Sequence, residues 1–276
     1  MYNTRFMSTP ITSPNVWAIR LILAATVIMA ACSDDDPDPE AEEPEPDIEV
    51  TSGVYTVVNL PADSTANSIN NATPLYYSLE DNKIIPASQK QTANWDIAFL
   101  GIYNSSIAPN NGKGQFSPGY GGPGKGGLYL VKYDDIDKQY YDTPGKPLTK
   151  LPERALFDEA FTRTTTVPVT DDKFITARYI DLDHFNSGTD GWAYYDFYGQ
   201  MYPDRPSSEK GHICYAMPRP IIVRTAKGNY AKVILYSMYK GAPTDPDRSH
   251  KAGFITLKFA IQKNGTKNLN ITETPK

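Results

Sequence analysis

Two cysteines and three histidines in 276 residues leave little from which to build a metal cage or a disulfide framework. Past Cys32 only Cys214 remains, so the segment that follows can close no internal disulfide, and its stability must come from a packed core. Basic residues number 27 against 32 acidic ones, which excludes the cationic field that a nucleic-acid-binding surface needs. No apolar run approaches the roughly 20 residues of a membrane-spanning helix. Carboxylates and serines are scattered, without a recoverable carboxylate pair or Ser, His, Asp arrangement, so the expectation is a binding protein and not an enzyme.

What the N-terminus does contain is an address. Arg5 and Arg20 precede an apolar stretch, 21–29, and small residues lead into Cys32 through Met29-Ala30-Ala31. This arrangement resembles a bacterial lipobox, in which the cysteine becomes the acylated first residue of the mature chain; an ordinary secretory signal cleaved nearby is the alternative. Ser33-Asp34-Asp35-Asp36 resembles the acidic export signal of surface lipoproteins in Gram-negative anaerobes. Residues 34–47 are acidic or Pro apart from Ala41, a composition that repels itself and cannot offset its ordering entropy. The expected organisation is a signal peptide over 1–31, a tether over 32–50 and one domain over 51–276. The expected location is the outer membrane, lipid-anchored and facing outward.

The remainder, with nineteen Tyr, ten Phe and frequent Gly and Pro, favours strands. Strands are expected at 54–60, 75–79, 95–103, 128–133, 174–180, 192–198, 221–225, 230–239 and 254–262, and three helical turns at 152–162. Trp95, Ile97 and Phe99 are expected to share one buried face, as are Ile255, Leu257 and Phe259, with Val233 also in the core and Thr256 and Lys258 opposite. Residues 226–229 form the clearest hairpin turn, Gly228 and Asn229 accepting positive φ. The fold class is therefore all-β, a single domain of antiparallel, sandwich-like sheets with little helix. Two loops, 104–127 and 199–210, are candidate binding rims.

Possible chemistry is sparse. The glycine-rich stretch 112–127 lacks a Lys followed by Ser or Thr, and a helix to receive phosphate, so it reads as a bend between strands. Asp181, Asp183 and His184 have metal-ligand types but read as a solvated strand end. His212 and Cys214 flank Ile213 and could face one way, yet no third residue orients the imidazole. The aromatic stretch Trp192-Ala193-Tyr194-Tyr195-Asp196-Phe197-Tyr198, with Met201 following, suits a flat apolar ligand such as a porphyrin or a sugar ring, or simply one core face and its partner.

Asn94-Trp95-Asp96-Ile97-Ala98-Phe99, the bend Gly124-Lys125-Gly126-Gly127, the pair Gly191-Trp192, and above all the run Val223-Arg224-Thr225-Ala226-Lys227-Gly228-Asn229-Tyr230-Ala231-Lys232-Val233 resemble the HmuY-like haem-binding lipoproteins. The resemblance implies an all-β haemophore that takes haem from a haemoprotein and passes it to an outer-membrane receptor of the TonB-dependent kind. It also implies axial iron ligands of histidine or methionine type. The residues of this chain that could serve are Met201, His212, Met217 and His184, with Tyr198 stacked nearby; no Met lies between Met29 and Met201. Haem capture for iron acquisition is the leading expectation. A surface lipoprotein that binds a carbohydrate or a protein through aromatic loops, without haem, is the alternative.

Overall fold

Strands form where aromatic and β-branched residues alternate, and turns where Gly, Asn and Pro interrupt them. The computed structural model describes residues 52–65, 72–143, 146–147, 149–184 and 190–272. The expected signal peptide, the tether and Cys32 lie outside them. In chain order the elements are β1 (Gly53–Pro61), β2 (Leu75–Ser78), β3 (Lys83–Ile85), β4 (Ile97–Leu100), β5 (Ser106–Pro109), β6 (Gly127–Leu130), α1 (Asp134–Asp137), β7 (Tyr141–Thr143), β8 (Lys146–Pro147), α2 (Arg154–Arg163), β9 (Leu182–His184), β10 (Ala193–Asp196), α3 (Ser207–Lys210), β11 (Ile213–Ala216), β12 (Ile221–Arg224), β13 (Tyr230–Tyr239) and β14 (Ala252–Gln262). The fold is all-β. Among the described residues the strands form sheets in the orders β1-β14-β13-β12-β6, β3-β2-β4-β5, β11-β10-β9 and β7-β8. All described pairings are antiparallel except β9 with β10, which is parallel and was not anticipated.

One large apolar core draws on all four sheets, β7 contributing Tyr141, and on α2. The seven residues expected inside it or beside it are each at most 1% exposed. Trp95, however, does not share a face with Ile97 and Phe99. The chain bends at Asp96 before β4 begins, and Trp95 joins a separate cluster with Tyr76, Ile85, Ala98 and Ala108. On β13 and β14, Lys232 and Lys258 lie beneath α2, their ammonium groups 4.5 and 4.9 Å from the Phe161 ring centroid. Lys232 Nζ donates to the carbonyls of Phe161 (2.9 Å) and Thr164 (2.8 Å), closing the C-terminal end of the helix. Burial, and then the charge of Lys258, pull this amine down to about 8.

The segment expected as a strand at 174–180 bends at 176–178 and makes only single bridges, Ile175 to Leu128 and Ile180 to Ile107. It crosses from one sheet to another and cannot keep a ladder with either. In the loop expected at 104–127, the first part is instead β5, an edge strand ending in Pro109, where the missing N–H costs no ladder bond.

Three of the four motifs that carried the family resemblance, all but Gly191-Trp192, are bound to one another. Asp96 Oδ2 accepts the N–H groups of Leu79 (2.7 Å) and Glu80 (3.2 Å), and its Oδ1 accepts the N–H of Ala226 (2.9 Å). Glu80 Oε1 accepts Thr225 Oγ1–H (2.6 Å) and Asn229 Nδ2–H (3.0 Å), and Gly228 supplies the positive φ of +98°. The Ala226 carbonyl accepts Lys125 N–H at 2.9 Å, and Arg224 Nε donates to the Lys125 carbonyl at 2.8 Å. These motifs therefore lock the β12–β13 hairpin onto β4 and the glycine-rich bend. Gly124 belongs to that packing, since a Cβ there would run into Asn110.

A second polar hub corrects the reading of Asp183 as solvated. Asp183 is fully buried, accepts Gly191 N–H at 2.7 Å and faces Arg219, which is 2% exposed. Arg219 Nη1 donates to Asp183 Oδ2 (2.6 Å) and to the Gly191 carbonyl (2.6 Å), while Nε and Nη2 grip both oxygens of Asp137 (3.1 and 2.7 Å).

Candidate functional site

The three-stranded sheet has two dissimilar faces. Alternation along β10 sends Tyr194 and Asp196 inward, both fully buried, and leaves Tyr195 half-buried and the following Phe197 exposed. β11 is antiparallel to β10, with Tyr195 opposite Cys214 and Asp196 opposite Ile213, so His212 enters beside the end of β10. His212 takes a left-handed φ of +61°, a conformation more common for His than for most side chains. Its N–H reaches the Phe197 carbonyl at 3.3 Å.

These features assemble an aromatic and imidazole cluster. The Tyr195 hydroxyl and His212 Nδ1 lie 2.8 Å apart in a hydrogen bond. The His212 ring meets Phe197 edge to face at 4.3 Å between centroids, and Phe197 meets Tyr198 in the same manner at 4.8 Å. Phe197 is 47% and Tyr198 65% exposed, so two flat apolar faces and an imidazole open to solvent together. Burial raises the Tyr195 hydroxyl above the ordinary phenol value, Tyr103 and Cys214 add to the rise, and Arg248 opposes it, so this group stays a neutral hydrogen-bonding partner near pH 7.

Of the residues proposed from sequence, His212 and Tyr198 sit in this cluster. His184 is the register partner of Tyr195 on the parallel strand β9, Cys214 is its partner on β11, and His212 meets it through the tyrosine hydroxyl. Met201 and Met217 do not join them: they are 2% and 1% exposed and belong to the main apolar core. The cause for Met201 is Asp196, whose carboxylate accepts the N–H groups of Gln200 and Met201 (both 2.8 Å) and folds the loop back over the sheet. Cys214 is also buried, and desolvation pushes its thiol far above the usual value. With His212 held outward by Tyr195, the two form no nucleophilic pair. Among the described residues no group of three or more His, Cys, Asp and Glu could hold a bare metal ion.

No family model and no curated protein matches the chain. Solved structures similar to it include a Bacteroides vulgatus protein described as HmuY-like and haem-binding, at 13% identity and TM-score 0.34, with 75% of this chain and 90% of that one covered. Another is a protein of Bacteroides fragilis described as a lipoprotein, at 15% identity and TM-score 0.31, covering 75% and 88%. A third is the apo HmuY analogue of Tannerella forsythia, at 13% identity and TM-score 0.32, covering 77% and 96%.

Sequence reasoning did not single out Tyr195 and Phe197 as site residues. Their signal was present: in a run rich in aromatic residues, positions 195 and 197 fall out of phase with Trp192, Tyr194 and Asp196. Only the register with β11 shows which phase faces outward.

Proposed function

We propose that this chain is a haem-binding lipoprotein of the outer membrane, held at the cell surface by acylated Cys32, and that it binds haem at the His212 cluster. The observation that carries the reading is the exposed imidazole beside two exposed aromatic faces. With Nδ1 engaged by Tyr195, His212 Nε2 makes no hydrogen bond among the described residues, which is the arrangement that orients an imidazole toward iron. Phe197 and Tyr198 would cover a porphyrin face. His184, in register with Tyr195, is the position for a second ligand. Met201 and Met217 would have to leave the core to serve, so the structure favours histidine over thioether ligation. Haem, when bound, supplies the iron that the cell acquires; the chain supplies a ligand, a stacking surface and a transfer point to a receptor.

The test is a titration of the full chain with ferric haemin followed by its Soret band. A shift is expected in the wild type. His212→Ala and His184→Ala should each weaken binding by about tenfold or more, and Met201→Ala and Met217→Ala should not, once corrected for stability. Acid should release haem, since protons compete for imidazole nitrogen and not for a thioether. No shift in the wild type, or wild-type affinity in both histidine variants, removes the reading.

The anchor is tested separately. No described helix is long and apolar enough to cross a membrane, so attachment would rest on acyl chains worth about 0.8 kcal/mol per buried methylene. Cys32→Ala is expected to shift the protein from the membrane fraction to a soluble or unprocessed form. Wild-type membrane recovery of that variant excludes lipidation there.

A further inference from the structure

One concavity of the molecule shares no residue with the His212 cluster. It is an open pocket of about 290 Å³, bounded by the chain leaving β6 on one side and the segment following α2 on the other. Tyr129, Val131 and Tyr133 alternate along the first wall and pack on the second apolar cluster of the molecule. Thr164, Thr165, Thr166 and Pro168 form the second wall.

That second wall is rigid. Thr164 Oγ1 donates to the Ala160 carbonyl (2.9 Å), Thr166 Oγ1 and Val167 N–H both reach the Lys267 carbonyl (each 3.0 Å), and the Thr165 carbonyl accepts Leu269 N–H (2.8 Å). The walls are joined by the Tyr133 hydroxyl and Thr164 Oγ1, 2.9 Å apart. At the rim Arg163 lies over Tyr133, 4.2 Å from its centroid, and donates through Nη1 and Nη2 to both oxygens of Asp135 (2.7 and 3.2 Å). Lys132 is paired with Asp190 at 2.8 Å.

The chemistry of these groups selects among ligands. An anion would find its two nearest cations already facing carboxylates. A hydrocarbon would leave the threonine wall and the Arg163–Asp135 fork against apolar surface. A polyol satisfies both walls, because its C–H face can lie on tyrosine while its hydroxyls meet the exposed Thr165 and Thr166 side chains, Thr164 being buried and already bonded. The fork sets N–H donors beside carboxylate acceptors, the pattern that adjacent sugar hydroxyls complete. We infer that this pocket is a binding site for a neutral sugar ring, separate from the haem cluster.

The experiment is calorimetric titration of the full chain with maltotriose, lactose, N,N′,N″-triacetylchitotriose and a sulfated heparin trisaccharide. At least one neutral sugar is expected to bind, more tightly than the sulfated one. Tyr129→Ala should weaken that binding by about tenfold, and Tyr133→Phe, which keeps the ring under Arg163, by a smaller factor. His212→Ala should leave it unchanged, so failure here and failure of the haem reading are distinguishable. The inference is overturned if no neutral sugar binds, if the sulfated trisaccharide binds best, or if Tyr129→Ala, with an unchanged melting transition, binds as the wild type does.

Discussion

Replacing Arg219 with alanine is expected to destabilise the protein by about 3–5 kcal/mol, the cost of leaving a buried charge without its partner. Three parts of the chain depend on this guanidinium: Asp137 at the end of α1, Asp183 on β9, and the Gly191 carbonyl just before β10. Burial pushes the Asp183 carboxyl up and Arg219 opposes that rise, so losing the cation leaves Asp183 to be protonated or hydrated. Tyr141, whose ring centroid lies 5.1 Å from the guanidinium, would also lose its cap. The double variant Arg219→Met with Asp183→Leu removes the two fully buried charges, leaving only Asp137, whose side chain is 21% exposed and reaches water, and should cost less than the single change, because the penalty lies in the orphaned buried charge more than in the pair's net worth. Urea unfolding of the wild type and both variants measures this. A single-variant loss below about 1 kcal/mol would mean that water reaches Asp183 and that the hub is not sealed.

The hub also shows which parts of the fold were legible. β13 was expected at its observed bounds because a run of ten residues rich in aromatic and β-branched side chains follows a turn that Gly228 defines. β9 and β11 went unseen because each is three or four residues long and contains polar or mixed residues, Asp183 and His184 in one and Cys214 in the other. Such strands exist because β10 lies between them, and pairing partners are not written into local periodicity. Asp183 reads as solvated from its neighbours alone; its burial follows from an arginine 36 positions later.

The site followed the same division. A dense aromatic run was visible, and its outward members were not, because a one-residue change of phase exchanges the faces of a strand. Met201 looked available in a polar loop until the Asp196 carboxylate turned that loop inward. The residues that carried the family resemblance were legible as a set, yet their described contacts hold the hairpin to the sheet or, for Gly191-Trp192, bind the Arg219 hub and the Ser105 carbonyl, outside the aromatic and imidazole cluster. Such residues specify a scaffold and leave the ligand to the loops it supports.

Asp96 is the clearest of these scaffold residues, and Asp96→Ala is expected to cost about 3–5 kcal/mol, since three buried N–H donors lose their acceptor. Asp96→Asn keeps the volume but turns an amide donor toward one set of N–H groups, and should cost about 2–3 kcal/mol. The pH dependence separates this role from simple packing. Burial raises the Asp96 carboxyl to about 6, Glu80 adds to the rise, and the N–H groups of Ala226, Glu80 and Leu79 pull against it. The native state therefore holds a proton more tightly than the unfolded chain, whose Asp titrates near 3.9. The contribution is complete below about pH 4, declines as pH rises to about 6 and stays constant above that. Unfolding free energies of the wild type minus those of Asp96→Asn, measured from pH 4 to pH 7, should thus fall by about 3 kcal/mol as the pH rises and then level off. A flat difference would mean that the three N–H donors outweigh burial, and that Asp96 stays ionised over the whole range.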